Sequence, residues 1–276
     1  MCELAVSTWS LHRDLGPMYP GVALEPASRP DLSYGEGAIT LLEAPATVAA
    51  MGIHNLEVCH FHFPRVDSEY LAEFRRQLQS AGVRFLTLLI DTGDITAPEP
   101  ETREQHLAHI RRWIEIAAEA GAKQVRVIAG DAEPDPEGVC MRRSIEGLRA
   151  LEEFARSLGV GVITENWHAL AMSPDVLLTV LDGLEGKVGL CGDFGNYSGP
   201  TKYEDLAAIL PRAITIHAKA DFPRAGEIDM DDFCRCLDLS REAGFEGHYV
   251  LIFDGPGEEQ PSLRRMAEVV QPYLQN

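Results

Sequence analysis

Four apolar stretches of this 276-residue chain end in side chains able to bind cations or move protons. "VITEN" ends in Glu165 and Asn166, "VGLCGDFGN" carries Asp193 and Asn196, "ITIHAKADF" carries His217, Lys219 and Asp221, and "YVLIFDGPGE" reaches Asp254. If these are neighbouring strands ending on one rim, about 4.8 Å apart, two carboxylates and an imidazole converge on one point. Carboxylates pushed together at a partly dry rim repel, and one takes up a proton unless a cation intervenes. A divalent metal resolves that conflict. Mixed Asp, Glu and His ligation suits Mn, Mg, Co or Zn, and without a thiolate set nothing favours zinc. The alternative is a separate ion pair or cap for each of Glu165, Asp193 and His217; three consecutive strand ends together favour the metal.

Convergence requires elements that repeat, and the chain repeats one unit: a helical stretch, a glycine, then a short apolar run. It recurs in "VAAMGIHNLEVCHF", "LQSAGVRFLTLLI", "AAEAGAKQVRVIAG", "ARSLGVGVITEN" and "REAGFEGHYVLIF". Gly52, Gly82, Gly121, Gly159 and Gly244 read as helix stops, since glycine takes the left-handed C′ conformation without steric cost. The runs are apolar throughout rather than alternating, as strands covered on both faces require. Eight are predicted: Leu4 to Thr8, Ile53 to Cys59, Arg84 to Ile90, Gln124 to Ala129, Gly161 to Thr164, Val188 to Cys191, Ala213 to His217 and His248 to Phe253. Ser173 before Pro174, and Asp229 before an acidic turn, read as helix starts.

Eight strand and helix units fit a single α/β domain over residues 1–276, a (β/α)8 TIM barrel whose catalytic residues sit at the strand C-termini. A doubly wound open sheet is the competing architecture, but no G-x-G-x-x-G follows the first strand. Residues 10–40, rich in Pro, Gly and aromatic side chains, form a connection far longer than the usual 2 to 6 or so residues. It is either a lid over the rim or a packed surface insertion.

Bulk properties narrow the partners. With 24 Lys and Arg against 43 Asp and Glu, the formal charge of -19 repels phosphate backbones and anionic lipid, so nucleic acid and membrane surfaces are not expected partners. The start, "MCELAVSTWSLH", has no basic leader, and no run of about 18 apolar residues occurs. These features predict a soluble, cytoplasmic protein. The cysteines at 2, 59, 140, 191, 234 and 236 have neither zinc nor disulfide spacing and read as reduced, mostly buried thiols.

Across nearly its whole length the chain resembles the xylose-isomerase-like sugar phosphate isomerase/epimerase superfamily of TIM barrels. The resemblance is carried by "GIHNLEVCHFHF", "VRVIAGD", "ITENWH", "GLCGDFGN" and "ITIHAKAD". It implies a divalent metal held by Glu165, Asp193 and His217. The family's fourth ligand, a strand-eight glutamate, is replaced here by Ile252, and Asp254, on the same side of the strand by the period of two, is assigned as the substitute. The implied function is a metal-dependent isomerase or epimerase removing a proton next to a carbonyl of a sugar, keto sugar or polyol. Glu165 is the leading base, Asp254 its partner, and Lys219 neutralises an alkoxide or holds an anionic group, unless it is simply solvated. Trp9, His12, Glu57, His60, His62, Arg126 and His168 are candidate substrate-binding residues, with packing or ion pairing as the alternative for each. His106 and His109 read as helix surface.

Without the strand-eight glutamate, a dehydratase or lyase acting on a keto acid with the same metal triad is the closest rival. A non-catalytic sugar-binding relic is another. An endonuclease IV-like activity is opposed by the charge and by Asn196, which stands where a ligand histidine would be needed. The expected partner is a small sugar or polyol, and a homo-oligomer is compatible with the sequence.

Overall fold

The computed structural model describes residues 2–25 and 29–275. Part of the long connection, residues 26–28, lies outside the described residues. Eight parallel strands close into a barrel in chain order: β1 (Glu3–Ser7), β2 (Asn55–Cys59), β3 (Arg84–Ile90), β4 (Gln124–Val127), β5 (Gly161–Glu165), β6 (Gly189–Asp193), β7 (Ala213–Lys219) and β8 (His248–Ile252). The barrel is the predicted one, with strand ends shifted by at most two residues. The five glycine stops all have positive φ, from 64° at Gly82 to 85° at Gly121. At Asp229 the side chain accepts from Asp232 N, capping the helix Met230–Glu242.

Two apolar bodies hold the architecture. Strand residues such as Val6, Leu88, Val125, Val162 and Ile216 pack with the surrounding helices in the main core. A smaller cluster, Ala5, Leu86, Val250 and Ile252 with Trp9 packed against it, includes side chains of β1, β3 and β8. By contrast, β2 and β4 through β7 contribute Glu57, Arg126, Glu165, Asp193 and His217, all buried. Burying this many ionisable groups is tolerable only if they are paired, so the polar half of the barrel demands mutual contacts. All six cysteines are free thiols, four of them buried. No helix among the described residues is long and apolar enough to cross a membrane.

The long connection is anchored at its base. Gly16 and Gly37 have φ of 73° and 75°, and a Cβ on Gly37 would lie 2.3 Å from Leu15 O. Only glycine permits this approach, which lets Ala38 N and Ile39 N donate to Asp14 O at 2.6 and 3.0 Å. Further along, Tyr34 meets Trp9 edge to face at 6.3 Å between ring centres.

Candidate metal centre and active site

Strand register sets the heights of the site residues. Asp193 pairs with His217 across β6 and β7, whereas Glu165 pairs with Cys191 across β5 and β6. Glu165 therefore starts two residues lower than Asp193 and uses its longer side chain to reach the same imidazole. Asn166 locks this stagger: its Oδ1 accepts from Asp193 N at 2.7 Å and its Nδ2 donates to Asp193 O at 3.1 Å. Asp193 Oδ1 then accepts from Gly195 N and Asn196 N at 2.6 and 3.0 Å, which aims Oδ2 at His217.

The imidazole of His217 is the hub. Its Nδ1 lies 3.4 Å from Glu165 Oε1 and 3.3 Å from Asp193 Oδ2, and its Nε2 lies 3.0 Å from Glu57 Oε1. Burial disfavours the imidazolium, but the anionic groups facing it, Glu57 and Glu165 among them, outweigh burial and hold its pKa well above the ordinary value. Burial likewise works to raise the Glu165 pKa, yet His217 and Arg126 overcome it and keep this carboxylate ionised. Asn196 Nδ2 donates to Glu165 Oε1 at 2.9 Å.

Donors bound to one metal at about 2.0–2.2 Å sit roughly 3 to 3.5 Å apart. The separations from His217 Nδ1 to Glu165 and to Asp193 each meet that spacing, and the chemistry of these donors suits a divalent ion. Among the described residues, the group whose donor atoms all lie within 4.8 Å of one another is Glu165, Cys191 and His217. Asp193 is outside that group while still touching the imidazole.

Asp254, assigned from the sequence as the fourth ligand, stands apart from the converging donors and beside Lys219. Strand β8 ends at Ile252, whose side chain lines the cavity, and Asp254 stands beyond it on the rim, 3.4 Å from Lys219 Nζ. Gly195 makes room for that lysine, since a Cβ there would come within 2.7 Å of Lys219 Cδ.

Above the hub lies a cavity of about 350 Å³ lined by Trp9, Arg126, Glu165, Asp193, His217, Lys219, Ile252 and Asp254, with Asp91, Phe61, Leu89, Trp167 and Asn196 completing most of the wall. Arg126 Nε lies 2.9 Å from Glu165 Oε2, a charge contact in which the N–H is not directed at the oxygen. Its Nη2 donates to Asp91, and the guanidinium stacks over Trp167 at 4.8 Å. Asp91, Trp167 and Phe61 are cavity residues that the sequence did not single out.

Five of the predicted substrate-binding residues are absent from this cavity. His12 stacks behind Trp9 and faces Glu259. Glu57 is fully buried beneath the hub. His60 accepts from Asp91 N and packs on Trp113. His62 bonds Thr8 Oγ1 at 2.8 Å and lines a separate cavity under the long connection. His168, at a left-handed φ of 63°, pairs with Asp131. For His12, His60 and His62 the ring is turned away by the local backbone, because β1 and β2 run directly into 3-10 turns, Thr8–Leu11 and His60–His62, that break the strand alternation. His106 and His109 are half-buried on the helix Pro100–Ala120.

A closed eight-stranded barrel with this rim defines a class, and sequence comparison agrees with it. The chain belongs to the xylose isomerase-like TIM barrel family, whose profile matches residues 45–271. Comparison with curated proteins gave no match. Among solved structures, L-ribulose 3-epimerase superposes with a TM-score of 0.73 at 12% identity, covering 100% of this chain and 95% of that one. A xylose isomerase-like TIM barrel protein from Mycobacterium smegmatis, in complex with magnesium, gives 0.67 at 18% identity, covering 99% and 96%. The 3-keto-D-glucoside 4-epimerase of E. coli gives 0.64 at 17%, covering 84% and 94%. At these identities the likeness is one of fold.

Proposed function

We propose that the chain is a divalent-metal-dependent isomerase or epimerase acting on a sugar, keto sugar or polyol. The observation that carries this reading is the meeting of Glu165, Asp193 and His217 under a cavity of small-molecule size. Epimerases of L-ribulose and of 3-keto-D-glucosides among the structural neighbours support the substrate class. When bound, Mn, Mg, Co or Zn there would polarise a substrate carbonyl and offset charge building on its oxygen.

The chain's own groups do the rest. Glu165, ionised and at the cavity floor, accepts the proton from the carbon beside the carbonyl. Lys219, steadied by Asp254 on the β7 and β8 side, neutralises the developing oxyanion or returns a proton. Trp9, Trp167 and Ile252 exclude water from the reacting carbon, and Arg126 with Asp91 offers polar contacts for hydroxyl groups. The described part of the long connection acts as a lid, with Tyr34 set edge to face against Trp9. Replacing Gly37 with Ala would disturb its base and raise KM without changing metal uptake.

Loss of the strand-eight carboxylate favours a second reading, a dehydratase or lyase working with one carboxylate base. Incubation of metal-loaded protein with ketopentoses, ketohexoses and keto acids in deuterated water, followed by NMR, separates the two. Solvent deuterium beside a sugar carbonyl, reduced about 10²- to 10⁴-fold in Glu165→Gln, is the expected result. Elimination products from a keto acid alone would establish the second reading, and neither product from any substrate would contradict both.

A further inference from the structure

We propose that Glu57 on β2 is a positioning residue that selects which nitrogen of His217 faces the metal, an inference resting on the metal-centre reading above. Glu57 is a candidate for holding substrate, but it is 0% exposed and is not among the residues that line the cavity above the hub. Its Oε1 instead lies 3.0 Å from His217 Nε2. Only the neutral imidazole can bind a metal, and it has one N–H and one lone pair, while an ionised carboxylate can only accept. Contact with Glu57 therefore places the hydrogen on Nε2 and leaves the lone pair on Nδ1. Nδ1 is the nitrogen that lies 3.4 Å from Glu165 Oε1 and 3.3 Å from Asp193 Oδ2. The carboxylate that fixes the tautomer also orients the ring and makes Nδ1 a stronger donor, as carboxylates behind metal-bound histidines do.

Packing alone does not account for this side chain. Glu57 Oε2 is buried without a hydrogen-bond partner, a costly state for a carboxylate oxygen. An alkyl side chain such as leucine would occupy the interior at lower cost. What leucine lacks is an acceptor for Nε2–H.

The test uses the full chain, labelled with 15N-histidine and loaded with zinc, a diamagnetic probe. In wild type and Glu57→Gln, two-bond proton–nitrogen spectra should show His217 Nε2 carrying hydrogen and Nδ1 bound to zinc. Glu57→Leu, confirmed as folded by circular dichroism, should bind zinc about 10- to 100-fold more weakly, with Glu57→Gln, which keeps an acceptor oxygen, restoring most of that loss. Zinc on Nε2 in the wild type, or undiminished affinity in folded Glu57→Leu, would overturn the role of Glu57 and leave the metal centre standing. The wild-type spectrum decides the matter even if the leucine variant does not fold. Failure of the wild type to take up zinc, manganese, cobalt or magnesium would overturn both readings.

Discussion

At position 252 a branched alkyl side chain takes the inward place beside the cavity, packed with Ala5 and Val250 and near Trp9. Restoring a carboxylate there is a direct probe of the donor set. Without a cation, Ile252→Glu buries an uncompensated charge and should cost about 3 kcal/mol of stability. With manganese, a folded-state ligand that the extra carboxylate helps to hold, much of that loss should return. Thermal unfolding with and without metal checks this: a larger manganese-induced rise in Tm than in wild type is expected, and an equal rise contradicts the proposed geometry. Glu165, Asp193 and His217 were legible in the sequence because polar side chains there interrupt apolar strands. Asp91 was not, since an aspartate after "LTLLI" has no distinguishing spacing and acquires meaning only from Arg126 on the next strand.

Elements were more legible than the directions of the side chains just past them. Helix–glycine–strand units recur regularly, and a covered parallel strand must be apolar, so all eight strands could be placed. The 3-10 turns after β1 and β2 have no comparable signature, and for this reason His12, His60 and His62 looked like rim groups. Their burial has a consequence for acid stability. Burial lowers the His60 pKa to about 4 against opposition from Asp91, and burial with His12 and His60 nearby lowers that of His62 to about 3. Both rings are thus neutral in the folded state, whereas in the unfolded chain they protonate near the ordinary 6.5. The unfolded state then binds more protons. Stability should fall as pH drops from 6.5 towards 4 and 3, by about 1.4 kcal/mol per pH unit for each ring. Urea denaturation at pH 7, 5.5 and 4.5 should give a shallower decline for His62→Gln than for wild type, and identical declines would contradict neutral burial of His62.

For the whole molecule, closure of the barrel turns scattered sequence motifs into one site, because all strand C-termini share a rim. Overall charge was legible from composition alone, and at -19 it should repel nucleic acid. A duplex DNA should show no gel shift at about 50 mM salt, where phosphate binding is strong; a salt-sensitive shift would contradict this. The heights of the donors were not legible, since they depend on strand register, which places Glu165 level with Cys191 and Asp193 level with His217. The most direct test of the metal centre is a crystal structure of the full chain soaked in manganese, with anomalous scattering to locate the ion. One strong peak is expected at coordination distance from Glu165 Oε1, Asp193 Oδ2 and His217 Nδ1; no peak in saturating manganese, or a peak away from His217, would contradict the metal centre.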